Sequence, residues 1–447
     1  MFRTLQMFHT LRVFQTVHLF HTLHEETVIR QFVPAFVAFV PVSVASALCA
    51  VSPAVAQEGR PSLVLIHANV IDAIHPRPIA NAMVVVTGRT ITRIETGSKE
   101  PPAGAQVIDL QGRYLLPGLI DAHTHISSLT SARRALESGV TTVRSASTMA
   151  FQDVGLRELV RSGALPGPEV LAAGLFVTPD LGESILADTA LAPLYGGVNS
   201  DEELRRVVQV NLNHGVDVIK TRATERAGLP NTDPRKQVYT EAQLRVIVEA
   251  AAAGGLGVMV HAHGDEGALA AVRAGVRSIE HGTYLSDSTL ALMKRKGTWL
   301  VPTYSTIVDL SEPGGDYDDP VLELRGKSMI PVARKMFQHA YKMGVRIATG
   351  ADTDYGPKSL TRISTEVVNF VDMGMSPFDA IRSATSAAAE LLGIERRTGS
   401  IQPGYEADLI VVEGNPLEDV RALLDVEIVV SNGRVALDRL PFGKESR

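Results

Sequence analysis

Residues 117–126 read Pro117-Gly118-Leu119-Ile120-Asp121-Ala122-His123-Thr124-His125-Ile126, an apolar run that closes on two histidines one residue apart. Leu115–Ala122 has the composition of a buried strand, and in a strand residues i and i+2 point to one face. His123 and His125 therefore project together beyond the strand end. There they can share one cation or stand as two solvated loop histidines.

Working outward, the same apolar pattern recurs at Val140–Ser145, Glu169–Ala173, Val216–Thr221, Val258–His261, Ser278–Glu280, Thr298–Val301 and Arg346–Thr349. Most of these runs precede helical stretches such as Thr240–Ala253 and Ser376–Leu392. Eight strands alternating with helices over about 270 residues define an α/β fold, a (β/α)8 TIM-like barrel. Residues 62–116 hold short β-branched runs between Gly, Asn and Pro turns, and residues 399–420 and 426–438 return to that pattern. The two ends are expected to build one small β-sandwich. The division is then 1–56 leader, 57–116 first part of the β-domain, 117–392 barrel and 393–447 second part of the β-domain.

In such a barrel, chemistry belongs at the C-terminal strand ends. Strand four ends Val218-Ile219-Lys220, where the lysine could snorkel to solvent, act as a Schiff-base amine or serve a metal. Strand five gives Val260-His261-Ala262-His263, strand six Ile279-Glu280-His281-Gly282, and strand eight Ala348-Thr349-Gly350-Ala351-Asp352. Any one of these has a bland explanation. Five histidines, one lysine and one aspartate at the ends of strands 1, 4, 5, 6 and 8 do not fall there by chance.

Composition narrows the chemistry further. The 447 residues carry a net charge of −6 with no Lys/Arg block, which argues against a nucleic-acid surface. Cys49 is the one cysteine. No internal disulfide or thiolate zinc site is possible, so a metal must be held by His, Asp, Glu or a modified Lys. Cys49 lies in an apolar, uncharged run from Phe32 to Val55 that ends in Ala54-Val55-Ala56. That run reads as a secretory signal peptide cut near Ala56, with a membrane anchor as the alternative. Pro34, Pro41 and Pro53 favour removal, hence export to the periplasm or exterior without a stable anchor. Residues 1–27 carry a degenerate repeat (MFHTL, VFQTV, LFHTL) with no counterpart elsewhere, which points to a true translation start at Val28. Removing 1–56 takes away three arginines and two glutamates, so −6 becomes −7, and four of the thirteen histidines. The mature chain would hold no thiol, which suits an oxidising compartment.

Other catalytic signatures are absent or out of place. Gly326-Lys327-Ser328 resembles the end of a phosphate-binding loop, but position 321 is Val and no strand precedes it. No G-x-S-x-G elbow is present.

Taken together, PGLIDAHTHI, VIKTRA, VHAHG, IEHGTYL, ATGADTD and the tail GSIQPGYEADLIVVEGNPL resemble the amidohydrolase superfamily. Within it the chain is similar to the imidazolonepropionase-related branch of zinc-dependent dipeptidases and carboxypeptidases, which includes prolidase-like enzymes and ochratoxin-hydrolysing amidases. The likeness spans residues 62–435. It implies that His123 and His125 bind a buried metal, that His261 and His281 bind a second, and that Lys220, carboxylated by CO2, bridges two Zn2+ as a carbamate. Asp352 would ligate the buried metal, take the proton of a metal-bridging hydroxide and pass it to the leaving amine. His263, on the same strand face as His261 but beyond the metal ligands, is a candidate to hydrogen-bond the carbonyl oxygen as charge develops.

The implied activity is hydrolysis of an amide or peptide bond beside a free C-terminal carboxylate, with ochratoxin A-type amides as a variant. A mononuclear cyclic-amide hydrolase or deaminase is the enzymatic alternative, disfavoured by Lys220, and an inactive metal-binding barrel is the other. Relatives are often homo-oligomers. One departure is Ser145 after Arg144, where relatives often carry Asp. For the substrate carboxylate, Tyr239 before the Thr240-x-x-Gln243 capping box is the first candidate, with Arg144 and Tyr304 behind it.

Overall fold

The computed structural model describes residues 63–440 apart from 98, 358 and 360. In chain order its strands are β1 (Leu63–Val70), β2 (Ile79–Thr87), β3 (Thr90–Thr96), β4 (Gln106–Asp109), β5 (Tyr114–Pro117), β6 (Leu119–Thr124), β7 (Val140–Ser145) and β8 (Glu169–Leu171). There follow β9 (Ile219–Arg222), β10 (Val258–Ala262), β11 (Ser278–His281), β12 (Trp299–Val301), β13 (Leu409–Val412), β14 (Ile428–Ser431) and β15 (Arg434–Asp438). The leader expected over 1–56 and the start at Val28 lie outside the described residues. No described helix is long and apolar enough to cross a membrane.

The first and last strands of the described residues lie in one sheet, in the order β15-β14-β13-β5-β1-β2-β3 with β4 beside β1. The eight strands form a single hydrogen-bonded sheet. Its strands alternate faces, as a pleated strand must. Leu115, Leu409, Val411, Ile428 and Val430 join Leu63 and Leu65 in one buried cluster. Their neighbours Leu116, Ile410, Val412 and Val429 face the other way, into the core shared with the α/β part.

The expected strand Leu115–Ala122 is in fact two. β5 pairs antiparallel with β13 (Leu116 opposite Ile410), while β6 pairs parallel with β7 (Asp121 opposite Val143). The break falls at Gly118, where a Cβ would lie 2.2 Å from Thr141 Oγ1. Only glycine lets the chain pass from one sheet into the other there.

The rest of the described chain is α/β, with parallel strands alternating with helices. β6-β7-β8 form one sheet and β9-β10-β11-β12 another. They are linked on one side by Asp217 N–H to Ala172 O (2.7 Å) and Val177 N–H to Lys220 O (2.9 Å). On the other side residues 346–349 connect them: Leu300 N–H donates to Arg346 O (2.8 Å) and Ala122 N–H to Thr349 O (3.0 Å). The eighth expected strand is thus not a regular one. It keeps a single bridge, Ile347 to Leu300, because Thr349 N–H turns to Ser383 O (2.8 Å) instead.

Helix Glu241–Ala253 starts on the expected capping box, with Thr240 and Gln243 each bonding the other's backbone N–H. The helix expected over Ser376–Leu392 is two, Pro377–Ser383 and Ser386–Leu392. They part at Thr385, which has non-helical φ −138° and ψ −100° and returns its hydroxyl to Ile381 O. Gly326-Lys327-Ser328 lies inside helix Pro320–Met343. A helix interior has no free amides to cradle a phosphate.

Candidate metal centre and substrate cavity

The strand ends bring His123, His125, Lys220, His261, His263, His281 and Asp352 to one cavity of about 560 Å³. Each imidazole commits one nitrogen to a hydrogen bond with the surrounding framework, leaving the other for the cluster. His123 Nδ1 bonds Glu280 Oε2 (2.7 Å), and His125 Nδ1 donates to Ser147 O (3.2 Å). His261 Nε2 donates to Glu225 O (3.1 Å). His263 Nδ1 meets Thr283 Oγ1 (2.8 Å), and His281 Nδ1 meets Thr303 Oγ1 (2.7 Å). Bonds of this kind set the tautomer of a metal-ligating histidine.

Asp352 Oδ1 lies 3.2 Å from His125 Nε2 and 3.3 Å from His123 Nε2. The Nζ of Lys220 is 3.5 Å from His123 Nε2. Candidate ligand atoms of His123, His281 and Asp352 all lie within 4.8 Å of one another, as do those of His261, His263 and His281. His281 Nε2 is buried with no hydrogen-bond partner, an orphan that a cation would satisfy. Imidazoles and a carboxylate with no thiolate suit zinc and similar divalent ions. His263 was expected beyond the metal ligands. Its ring stacks on His281 at 4.6 Å and belongs to the same cluster, so position alone does not set it apart.

Electrostatics agree with this arrangement. Burial pushes the His261 and His281 rings well below the usual imidazole range and His263 down to about 3, so all three rings are neutral. For Asp352, burial alone would raise the carboxyl, but the charge of His123 and the hydrogen bonds of His123 and His125 hold it well below the usual range. Lys220 is 2% exposed, and burial lowers its amine to about 8 against the opposing pull of Glu280 and Asp352. A neutral amine is the form that adds CO2.

The backbone is strained around the histidine cluster. Ser147 (φ 105°), His281 (φ 73°), Thr303 (φ 47°), Asp352 (φ 51°) and Tyr355 (φ 54°) all take left-handed conformations that non-glycine residues rarely adopt. Such outliers collect at functional sites because the surroundings over-determine them. Gly350 is packed so tightly that a Cβ would lie 2.7 Å from His123 Cβ.

Two residues behind the histidine cluster carry structure that the sequence did not single out. Glu280 accepts from Arg144 Nη2 (3.0 Å) and Ser278 Oγ as well as meeting His123, and those partners outweigh burial to hold its carboxyl at about 2. Asp121 accepts from His123 N–H (3.1 Å), Ala351 N–H (3.0 Å) and Tyr355 OH (2.8 Å), tying β6 to the Asp352 loop. Glu280 sits beside His281 in the IEHG motif, so its adjacency was the available signal.

None of the three carboxylate candidates reaches the cavity. Arg144 is 2% exposed and spent on Glu280, Ser278 Oγ and Ala122 O, its guanidinium clamped between strands. Tyr239 is 1% exposed, packed in the main core, with its hydroxyl on Val198 O (3.2 Å). Tyr304 is buried in the same core, on a turn whose backbone N–H groups bind Glu366, while Thr303, Thr306 and Ile307 of that turn face the cavity. Polar strand-end residues can point to either side of the strand, and these point away from the opening. The cavity's outer wall comes instead from Phe176, Asp180, Arg222, Arg226, Leu229 and Tyr317. Residues 308–320 contribute Leu310 and Tyr317 to the lining.

Fold and site together define a metal-binding α/β hydrolase. Comparison with known proteins makes this specific: the Amidohydrolase family profile matches residues 114–436, and the chain belongs to that family. Ochratoxinase from Aspergillus niger is 29% identical over 396 residues, covering 79% of this chain and 81% of that protein. Imidazolonepropionase from Micrococcus luteus is 26% identical over 366 residues, covering 75% and 88%. Among solved structures, an Xaa-Pro dipeptidase with methionine in its active site superposes with a TM-score of 0.76 at 30% identity, covering 83% of this chain and 99% of that one. A. niger ochratoxinase superposes at 0.72 with 26% identity, covering 86% and 98%. The chain is therefore a metal-dependent hydrolase of carbon–nitrogen bonds.

Proposed function

We propose that this protein is an exported, binuclear zinc amidohydrolase that cleaves the amide of a small substrate bearing a free C-terminal carboxylate, in the manner of a dipeptidase or carboxypeptidase. In this reading the linked strands form a closed (β/α)8 barrel, and the terminal sheet folds over as a sandwich. The observation that carries it is the set of five histidines, each held by a hydrogen bond to a framework group, around Lys220 and Asp352. His123, His125 and Asp352 would hold one ion and His261 and His281 the other. Bound divalent ions supply a Lewis acid and an acidified water.

The chain's own groups do the rest. Lys220 adds CO2 through its neutral amine, forming an N–C bond and releasing a proton, and so becomes an anion with two oxygens to share. Asp352, ionised and beside both His123 and His125, accepts a proton during attack and returns it to the leaving nitrogen. His263 donates from Nε2 to the carbonyl oxygen while its Nδ1 accepts from Thr283 Oγ1.

Metal analysis combined with a dipeptide library that includes ochratoxin A tests the proposal. About two zinc per chain with hydrolysis of free-carboxylate substrates is the expected result. About one zinc, or turnover confined to cyclic amides, overturns it.

A further inference from the structure

Outside the histidine cluster the cavity carries unbalanced positive charge. Lys220, Arg222 and Arg226 follow one another along β9 and its loop, from a buried floor through a half-buried wall to an exposed rim. Lys220 and Arg222 are two apart on one strand and so share a face. Neither guanidinium has an ion pair or side-chain hydrogen bond among the described residues, and the Nε of Arg222 is buried without a partner. The nearby carboxylates are engaged elsewhere. Glu225 is taken by Lys236 Nζ (2.8 Å) and Asp233 N–H (3.0 Å), and Asp180 by Gly182 N–H (2.9 Å). Beyond the centre itself, two arginines face one aspartate in the cavity lining, a surplus of one positive charge.

The loop that carries Arg226 is held at a fixed offset from the centre. Glu225, its neighbour, supplies the carbonyl that accepts from His261 Nε2 (3.1 Å). Thr224 and Gln237 form a bridge across the base of the loop. On the far side, Arg325 of helix Pro320–Met343 donates to Ala227 O (2.5 Å), Leu229 O (2.6 Å) and Thr232 O (2.6 Å). Arg226 thus stands between two clamps, and a rigid mount is what fixed-distance recognition requires.

We infer that Arg222 and Arg226 receive the free carboxylate of the substrate, so that the span from this pair to the histidines sets which amide lies over the centre. The inference rests on the amide-hydrolase reading above and adds the residues that read the carboxylate. Guanidinium groups suit the role because their planar forks meet a carboxylate through paired hydrogen bonds. The surplus of one charge matches a single carboxylate.

The test is equilibrium binding to the zinc-loaded protein by calorimetry, with L-methionine and L-proline each compared with its amide. Wild type is expected to bind the acids at least about tenfold more tightly than the amides. Arg226→Ala should abolish that preference with an unchanged melting temperature, since the side chain is exposed, and Arg226→Lys should retain part of it. Wild type without a preference for the acids, including no binding of either form, overturns the inference, as does an Arg226→Ala protein that keeps the preference. Failure of the amide-hydrolase reading would look different: no turnover of dipeptides or their amides, with the acid preference in binding intact.

Discussion

His123 Nδ1 lies 2.7 Å from Glu280 Oε2, and Glu280 is itself held by Arg144 and Ser278 in a site closed to solvent. The chain Arg144–Glu280–His123 fixes the imidazole so that Nε2 faces the cavity. Glu280→Gln keeps the shape but removes the charge that orders both partners. Metal affinity should fall about 10- to 100-fold, read by chelator competition. The buried Arg144 left without its counter-charge should also lower stability by about 3–5 kcal/mol. Wild-type metal affinity in this variant would remove Glu280 from the centre.

Lys220→Ala should lose zinc and activity together, with both recovered on adding short carboxylic acids that stand in for the carbamate. Because burial brings the amine to about 8, reconstitution of the metal-free protein at fixed dissolved CO2 should slow about tenfold per pH unit below that value and level off above it. A flat profile from pH 6 to 9 would argue against carbamate formation.

Tyr239→Phe removes only the hydroxyl bonded to Val198 O. The expected cost is about 1 kcal/mol of stability, with KM for acid and amide substrates both within about twofold of wild type. A selective rise in KM for free-carboxylate substrates would return Tyr239 to the cavity.

Asp408, behind the catalytic part, accepts from Asn432 N–H (2.7 Å), and burial raises its carboxyl to about 7. The folded state therefore keeps a proton that the unfolded chain gives up near pH 4. Stability is full below that pH and falls as pH rises to about 7. Asp408→Asn, which still accepts from Asn432 but never ionises, should be more stable than wild type at pH 8 by a few kcal/mol and about equal at pH 4. Thermal melts at the two pH values check this. A variant that melts lower at pH 8 would show that the ionised carboxylate is stabilising.

Much of the centre could be read directly from the chain. Strand periodicity and the i, i+2 rule were enough to put His123 with His125 and His261 with His263, because they act over neighbouring residues. The capping box at Thr240–Gln243 is of the same kind. By contrast, the division of Leu115–Ala122 at Gly118 depends on Thr141, which pairs with it only after folding. The irregular eighth strand likewise depends on Ser383.

The sequence by itself determined the kind of donor available, imidazole, lysine and carboxylate without thiol, and its delivery at successive strand ends, since both follow from composition and local geometry. Only the tertiary structure decided which nitrogen of each histidine faces inward, because that is settled by partners such as Glu280, Glu225 O, Thr283 and Thr303, which come from other strands and loops. It also decided that Tyr239, Tyr304 and Arg144 turn into the core while Arg222 and Arg226 line the cavity. A strand end offers a polar side chain two opposite sides, and the packing of the whole domain chooses between them.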